Sequence, residues 1–237
     1  MKPILLLACV AFVSSAAHAQ PLDSCVPASE GTAFTVSAPG ATEPVSGVVL
    51  GRGERAVVFS NTAYNAPCDW LPVARELAAA GHQVALWSYR HGDLQGQLAD
   101  LNAVVAHVRA AGARRVALVG GSRGGCLSMI AASEAGPPAI AGVAILSCAA
   151  VFNRRDPTAT APWAAKLRVP VLHVTGENDT TPPLAEAKAE FALFPAADKR
   201  LVVVPATAAH GDQLLAVPAA AAIARPALLE FLARVLP

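Results

Sequence analysis

One stretch of this chain constrains its fold more than any other: Val116-Ala-Leu-Val-Gly-Gly-Ser-Arg-Gly-Gly. An apolar run suited to a buried strand, Val116 to Val119, ends in Gly120-x-Ser122-x-Gly124, and the helix-compatible segment Cys126-Leu-Ser-Met-Ile-Ala-Ala-Ser follows at once. That order predicts a strand, a sharp turn and a helix, with Ser122 at the apex. Such a turn strains the serine backbone and brings neighbouring chain very close, so Gly120 and Gly124 sit where a side chain would collide. The strain lifts the Ser122 hydroxyl clear of the sheet. The helix start aims backbone N–H groups and the positive end of its dipole at the same place, so Ser122 is a candidate nucleophile.

Before the domain comes Met1-Lys2-Pro3, an apolar run from Ile4 to Val13, and Ala17-His18-Ala19. This is the pattern of a secretory signal peptide cut after Ala19, and the run is short for a permanent membrane anchor. Residues 20–237 are then expected to form a single domain, exported to the periplasm or outside the cell. With Lys2 removed, basic residues fall to the number of acidic ones, 17, which argues against nucleic acid or an anionic membrane surface as a partner. Export leaves Cys25, Cys68, Cys126 and Cys148 where disulfides persist, and their spacing lacks the Cys-x-x-Cys pairs of a metal or redox site. Of the possible pairings we favour Cys25 with Cys68, tying the N-terminal segment to the body, and Cys126 with Cys148. The alternative is buried free thiols.

The rest of the chain alternates strand and helix patterns. Strands are expected at Ala33–Ser37, Val45–Leu50, Ala56–Ser60, Val84–Trp87, Val116–Val119, Ile140–Leu146, Val169–Val174 and Leu201–Val204. Helices are expected at Trp70–Ala80 with Asp69 as N-cap, Leu98–Ala111, after Ser122, Pro182–Phe194 and from about Gln213 to Val235, with breaks possible at Pro218 and Pro226. This is a mostly parallel, doubly wound α/β sheet with helices on both faces.

In such a sheet functional groups collect at the carboxyl ends of strands. An activated serine needs a base, and the base needs a carboxylate. The loop after Val174 carries Glu177 and Asp179, and the loop after Val204 carries His210 and Asp212. Asp179 and His210 are the candidate acid and base. Glu177 and Asp212 are second candidates for the acid and His91 for the base. His82, His107 and His173 fall on the opposite edge, inside a helix and inside a strand. Taken singly, Ser122 reads as a turn residue, Asp179 as a helix cap and His210 as a surface histidine; three such coincidences at three strand ends are harder to accept.

In this Ser, Asp, His order the chain resembles the α/β-hydrolase family over roughly residues 45–235, and small bacterial dienelactone-hydrolase-like and esterase-like members in particular. Thr175-Gly-Glu-Asn-Asp179 resembles that family's acid loop, His210-Gly211 its histidine loop, Arg90-His91-Gly92 the loop after its fourth strand, and Cys68-Asp-Trp-Leu-Pro72 with Glu76 to Gly81 its first helix. The resemblance implies a serine hydrolase that cleaves carboxylic esters through an acyl-enzyme, without metal or cofactor. One departure stands out: members commonly carry His-Gly at the end of the third strand, where this chain has Ser60-Asn61-Thr62. The oxyanion donors are then the backbone N–H of Thr62, or of Asn61 if the loop is shifted, and that of Arg123. The connection at residues 149–168 has room for about one helix, a minimal cap, and implies an open site for small esters, with Tyr64, Phe152 and Trp163 as candidate pocket walls. A ligand-binding protein without catalysis and an acyltransferase with the same triad are the alternatives.

Overall fold

In the computed structural model, which describes residues 22–64, 66–90, 92–152 and 158–237, the apolar runs become strands of one eight-stranded sheet. The expected signal peptide and His91 lie outside the described residues. In chain order the strands are β1 (Gly31–Val36), β2 (Val45–Leu50), β3 (Arg55–Ser60), β4 (Gln83–Trp87), β5 (Arg115–Gly121), β6 (Gly142–Leu146), β7 (Val171–Gly176) and β8 (Lys199–Val204). Their spatial order is β1-β2-β4-β3-β5-β6-β7-β8. β1 and β2 are antiparallel, and β2 is antiparallel to β4; the pairings from β4 through β8 are parallel. Ser60, Gly121, Gly176 and Val204 therefore end their strands on one edge of the sheet.

Alternation along the strands divides the core between the two faces. Ala56, Val58, Val116 and Leu118 pack toward α2 (Leu94–Ala110) and α3 (Arg123–Ala135), whereas Val57, Phe59, Ala117 and Val119 pack toward α1 (Leu71–Ala79) and α7 (Pro218–Val235). Each Val, Leu or Phe side chain among them contributes about 1.5–3 kcal/mol when removed from water, so central strands buried on both faces read as continuous apolar runs. Three short helical pieces complete the fold: α4 (Ala161–Ala164), α5 (Leu184–Leu193) and α6 (Gln213–Ala216).

Helix boundaries differ from the sequence expectation at three places. Asp69 does not cap α1: it lies within a 3₁₀ turn, Pro67–Trp70, and α1 begins after Trp70 with no side-chain cap. α2 begins four residues early, because Asp93 caps it by accepting a hydrogen bond from the Gly96 N–H at 2.9 Å. The last helix breaks before Pro218 but continues through Pro226. The carbonyl that Pro226 leaves without a donor belongs to Ala222, and both residues are exposed, so water can satisfy it.

Two disulfides link Cys25 to Cys68 and Cys126 to Cys148, with Cα atoms 6.0 and 5.0 Å apart. The first ties the N-terminal segment to the turn that precedes α1. The second ties α3 to the chain leaving β6. No helix among the described residues is long and apolar enough to cross a membrane.

Candidate active site

The turn between β5 and α3 is as tight as its glycines imply. Ser122 has φ 54° and ψ −122°, a left-handed conformation that side chains rarely adopt. A Cβ on Gly120 would overlap the Gly124 carbonyl, and one on Gly124 would overlap the carbonyls of Ser60 and Asn61. The serine is held in this pose by its own backbone: its N–H donates to the Leu146 carbonyl at 2.7 Å, and its carbonyl accepts from the Cys126 N–H at 3.1 Å. Ser122 and Arg123 remain partly exposed between the buried Gly121 and Gly124.

Two loops converge on this turn. Positions 121 and 211 pack together: a Cβ on Gly121 would meet the Gly211 Cα at 3.2 Å, and one on Gly211 would meet the Ser122 nitrogen at 3.5 Å. This brings the histidine loop against the serine. Within that loop, His210 Nδ1 lies 2.9 Å from Asp179 Oδ2. Asp179 is buried, and its other oxygen accepts from the Thr181 N–H at 2.8 Å. Burial pushes the Asp179 carboxyl up, but the hydrogen bonds from His210 and the Thr181 N–H outweigh it, so the group is held below its ordinary value and stays charged.

Glu177 has a different partner, the Ala206 N–H at 2.8 Å. With the Asn178 N–H donating to the Thr207 carbonyl at 2.8 Å, it laces the acid loop to the histidine loop. Asp212 lies on the histidine loop, its carboxyl raised by burial and by the nearby Asp69 charge. His82, at 5 % exposure, precedes β4 at the opposite edge, and His107 stacks on Phe34 with ring centroids 4.4 Å apart. His173 is fully buried within β7, and its Nε2 lies 4.0 Å from Glu190 Oε2.

At the end of β3 the Ser60-Asn61-Thr62 loop closes the site from the other side. The Thr62 methyl lies within 3.2 Å of the place a Gly121 Cβ would take. Asn61 is 1 % exposed and held at both ends of its amide: Nδ2 donates to the Trp87 carbonyl at 2.6 Å and Oδ1 accepts from Trp70 Nε1 at 3.1 Å. Its main-chain carbonyl accepts from the Tyr89 hydroxyl at 2.6 Å. Sequence reasoning put Asn61 and Tyr89 in loops and missed this cluster. Asparagine is an ordinarily exposed residue type, so its burial here had no signal in the sequence.

Of the candidate pocket walls, Phe152 belongs to the core at 2 % exposure and lines no open site. Tyr64 is 78 % exposed beside the Thr62 loop, and Trp163 donates to Glu134 at 3.0 Å. A separate groove of about 740 Å³ runs between β1 and α2, lined by Val36, Pro39, Ala103 and His107, with none of Ser122, Asp179 and His210 in its wall. Among the described residues no group of three or more His, Cys, Asp or Glu side chains could hold a metal ion.

The model of the FSH1 serine hydrolase family matches residues 58–207, from the third strand to the loop carrying His210. The chain belongs to this family. The fold agrees with solved structures at low identity. An esterase of Pyrococcus furiosus superposes with a TM-score of 0.69 at 15 % identity, covering 86 % of this chain and 90 % of that one. A thermophilic esterase from Thermogutta terrifontis gives 0.69 at 13 %, covering 87 % and 100 %, and Est1E from Butyrivibrio proteoclasticus gives 0.65 at 16 %, covering 85 % and 99 %. No curated protein gives a sequence match to this chain. The chain is thus a serine hydrolase with the α/β-hydrolase fold.

Proposed function

We propose that this serine hydrolase cleaves carboxylic esters of small molecules through Ser122, His210 and Asp179, by way of an acyl-enzyme. The observation that carries the reading is the His210–Asp179 pair at 2.9 Å, borne by a loop that packs on the strained Ser122 turn. Asp179 bonded to Nδ1 leaves Nε2 as the ring nitrogen free to act as base.

His210 Nε2 takes the hydroxyl proton as Ser122 Oγ attacks the ester carbonyl carbon. The N–H groups of Thr62 and Arg123 receive the oxyanion, and the charged Asp179 carboxylate stabilises the imidazolium that forms. His210 then returns the proton to the leaving alkoxide as the C–O bond breaks. A water molecule repeats the sequence on the acyl-serine and releases the acid. The short connection after β6, whose described residues hold one four-residue helix, supports an open site and small esters. The names of the structurally similar esterases support ester hydrolysis. Export to the periplasm or beyond is part of the proposal, supported by Ala17-His18-Ala19 and by two disulfides that persist in oxidising compartments.

The test is labelling with a fluorophosphonate, which reacts covalently with an activated serine, together with hydrolysis of p-nitrophenyl acetate. The expected result is labelling and turnover in the wild type and neither in Ser122→Ala or His210→Ala. A Ser122→Ala protein that still turns over the ester would overturn the assignment.

A further inference from the structure

We infer that Tyr89 is a positioning residue for the oxyanion hole, fixing through its hydroxyl the peptide unit whose other face presents the Thr62 N–H. The inference rests on the site proposed above.

A peptide unit is planar, and in its trans form the carbonyl of one residue and the N–H of the next point in opposite directions. The Asn61 carbonyl and the Thr62 N–H share one such unit, and the bond joining them is not among the cis peptides. Whatever fixes the direction of the Asn61 carbonyl therefore fixes the direction of the Thr62 N–H. The Tyr89 hydroxyl donates to that carbonyl at 2.6 Å across a span of 28 residues. A hydrogen bond to the carbonyl also polarises the peptide and strengthens its N–H as a donor.

The tyrosine is itself well placed for this task. It is 7 % exposed, its ring stands edge-on to Trp87 with centroids 4.8 Å apart, and the Arg123 guanidinium lies 4.6 Å from its ring centre. Arg123 supplies the second proposed donor through its own N–H, so one tyrosine touches both halves of the hole. Burial pushes the phenol well above its ordinary value, so it keeps the proton it donates. The carbonyl has little freedom on its far side, because it also lies where a Gly124 side chain would be. The Asn61 amide, clamped between Trp87 and Trp70, prevents the loop from rotating as a whole. Together these contacts stabilise the donor without the His-Gly that commonly occupies this position in the wider fold.

The test is Tyr89→Phe, which keeps the ring against Trp87 and Arg123 and removes only the hydroxyl. Losing an oxyanion donor outright costs about a hundredfold or more in kcat, and loosening one costs part of that, about tenfold. The expected result is a kcat on p-nitrophenyl acetate about tenfold lower, with KM within about twofold and the affinity for an arylboronic acid, which forms a tetrahedral anion on the serine, reduced by the same factor as kcat. A merely structural role would move the denaturation midpoint without tying kcat to boronate affinity. The chain has two tyrosines, so fluorotyrosine incorporated in a Tyr64→Phe background labels Tyr89 alone. Its more acidic phenol is expected to raise kcat relative to ordinary tyrosine in that background. This second measurement decides the matter if Tyr89→Phe fails to fold. Unchanged kcat and boronate affinity in Tyr89→Phe, or no response to fluorotyrosine, would overturn the role of Tyr89 while leaving the Ser122 assignment intact. Turnover by Ser122→Ala would instead remove both.

Discussion

His210 and Asp179 meet at 2.9 Å where two loops cross the carboxyl edge of the sheet, whereas His173 and Glu190 approach to 4.0 Å beneath the surface, one inside β7 and the other on α5. Both pairs are a histidine and a carboxylate on neighbouring elements, yet their surroundings drive them to opposite states. Asp179 receives an N–H from Thr181 as well as the histidine, and these donors keep it charged despite burial. Glu190 has the Thr160 hydroxyl at 3.1 Å, and the Cys148 sulfur 3.3 Å away has no proton to give. Burial therefore raises Glu190 to about 8 and lowers His173 to about 4. At pH 6 both members of the inner pair are neutral, so their approach is a polar contact and not an ion pair. A carboxylate beside a histidine becomes useful for chemistry where backbone donors keep it ionised; elsewhere the same pair is a cost of burial.

Asp179→Asn attacks the outer pair where it matters most. The expected loss in kcat is about ten-thousandfold, the scale seen when a triad carboxylate is made neutral, with the fold intact by circular dichroism. Glu190→Gln should leave kcat within about twofold, and an equal loss in the two variants would erase the distinction between the pairs. Next in size is the double variant Cys126→Ala/Cys148→Ala, which removes the disulfide lying against Glu190. Opening a closed loop of this length costs about 3 kcal/mol in denaturant unfolding.

The inner pair also sets a pH profile. Glu190 stabilises the fold most below its unfolded value of 4.5 and loses that contribution as pH rises through about 8. His173 contributes fully above 6.5 and loses its contribution as pH falls through about 4. The slopes cancel between these unfolded values and leave a plateau, followed by a decline from pH 6.5 to 8 of roughly 2 kcal/mol. Glu190→Gln should abolish the decline on the alkaline side and expose a loss on the acid side; equal unfolding midpoints for wild type at pH 6 and 8 would refute the profile. The smallest effect expected is from Glu177→Gln, which loosens the lacing to Ala206 and lowers kcat a few-fold, about 1 kcal/mol, without affecting the serine's own turn.

Much of this was readable in the residues. The strand patterns located all eight strands to within two residues. They are plainest in the central ones, because strands buried on both faces have no other way to be written. At the exposed edge strand β1 the turn signal after it helped. Ser122, Asp179 and His210 stood out as candidates since each follows an apolar run by a few positions, and the loops that carry them meet. Local competition hid other features: Pro67 draws Asp69 into a 3₁₀ turn, and Asp93 captures the start of α2 ahead of its apolar stripe. The Asn61, Trp70, Trp87 and Tyr89 cluster was not legible, because it depends on the register that sets β4 beside β3. No spacing in one sequence reports which carbonyl a tyrosine will find 28 residues away.

The Cys25–Cys68 disulfide encloses β1, β2, β3 and the Asn61–Thr62 peptide but none of Ser122, Asp179 and His210. Its cysteines are partly accessible, while Cys126 and Cys148 are sealed at 1 % exposure. A bulky reductant thus meets the outer bridge first, and cutting it frees the segment leading to Trp70 without unfastening the Ser122 turn. Reduction of this one bond would loosen the chain that carries the proposed Thr62 donor while leaving the Ser122 turn fastened by its own backbone.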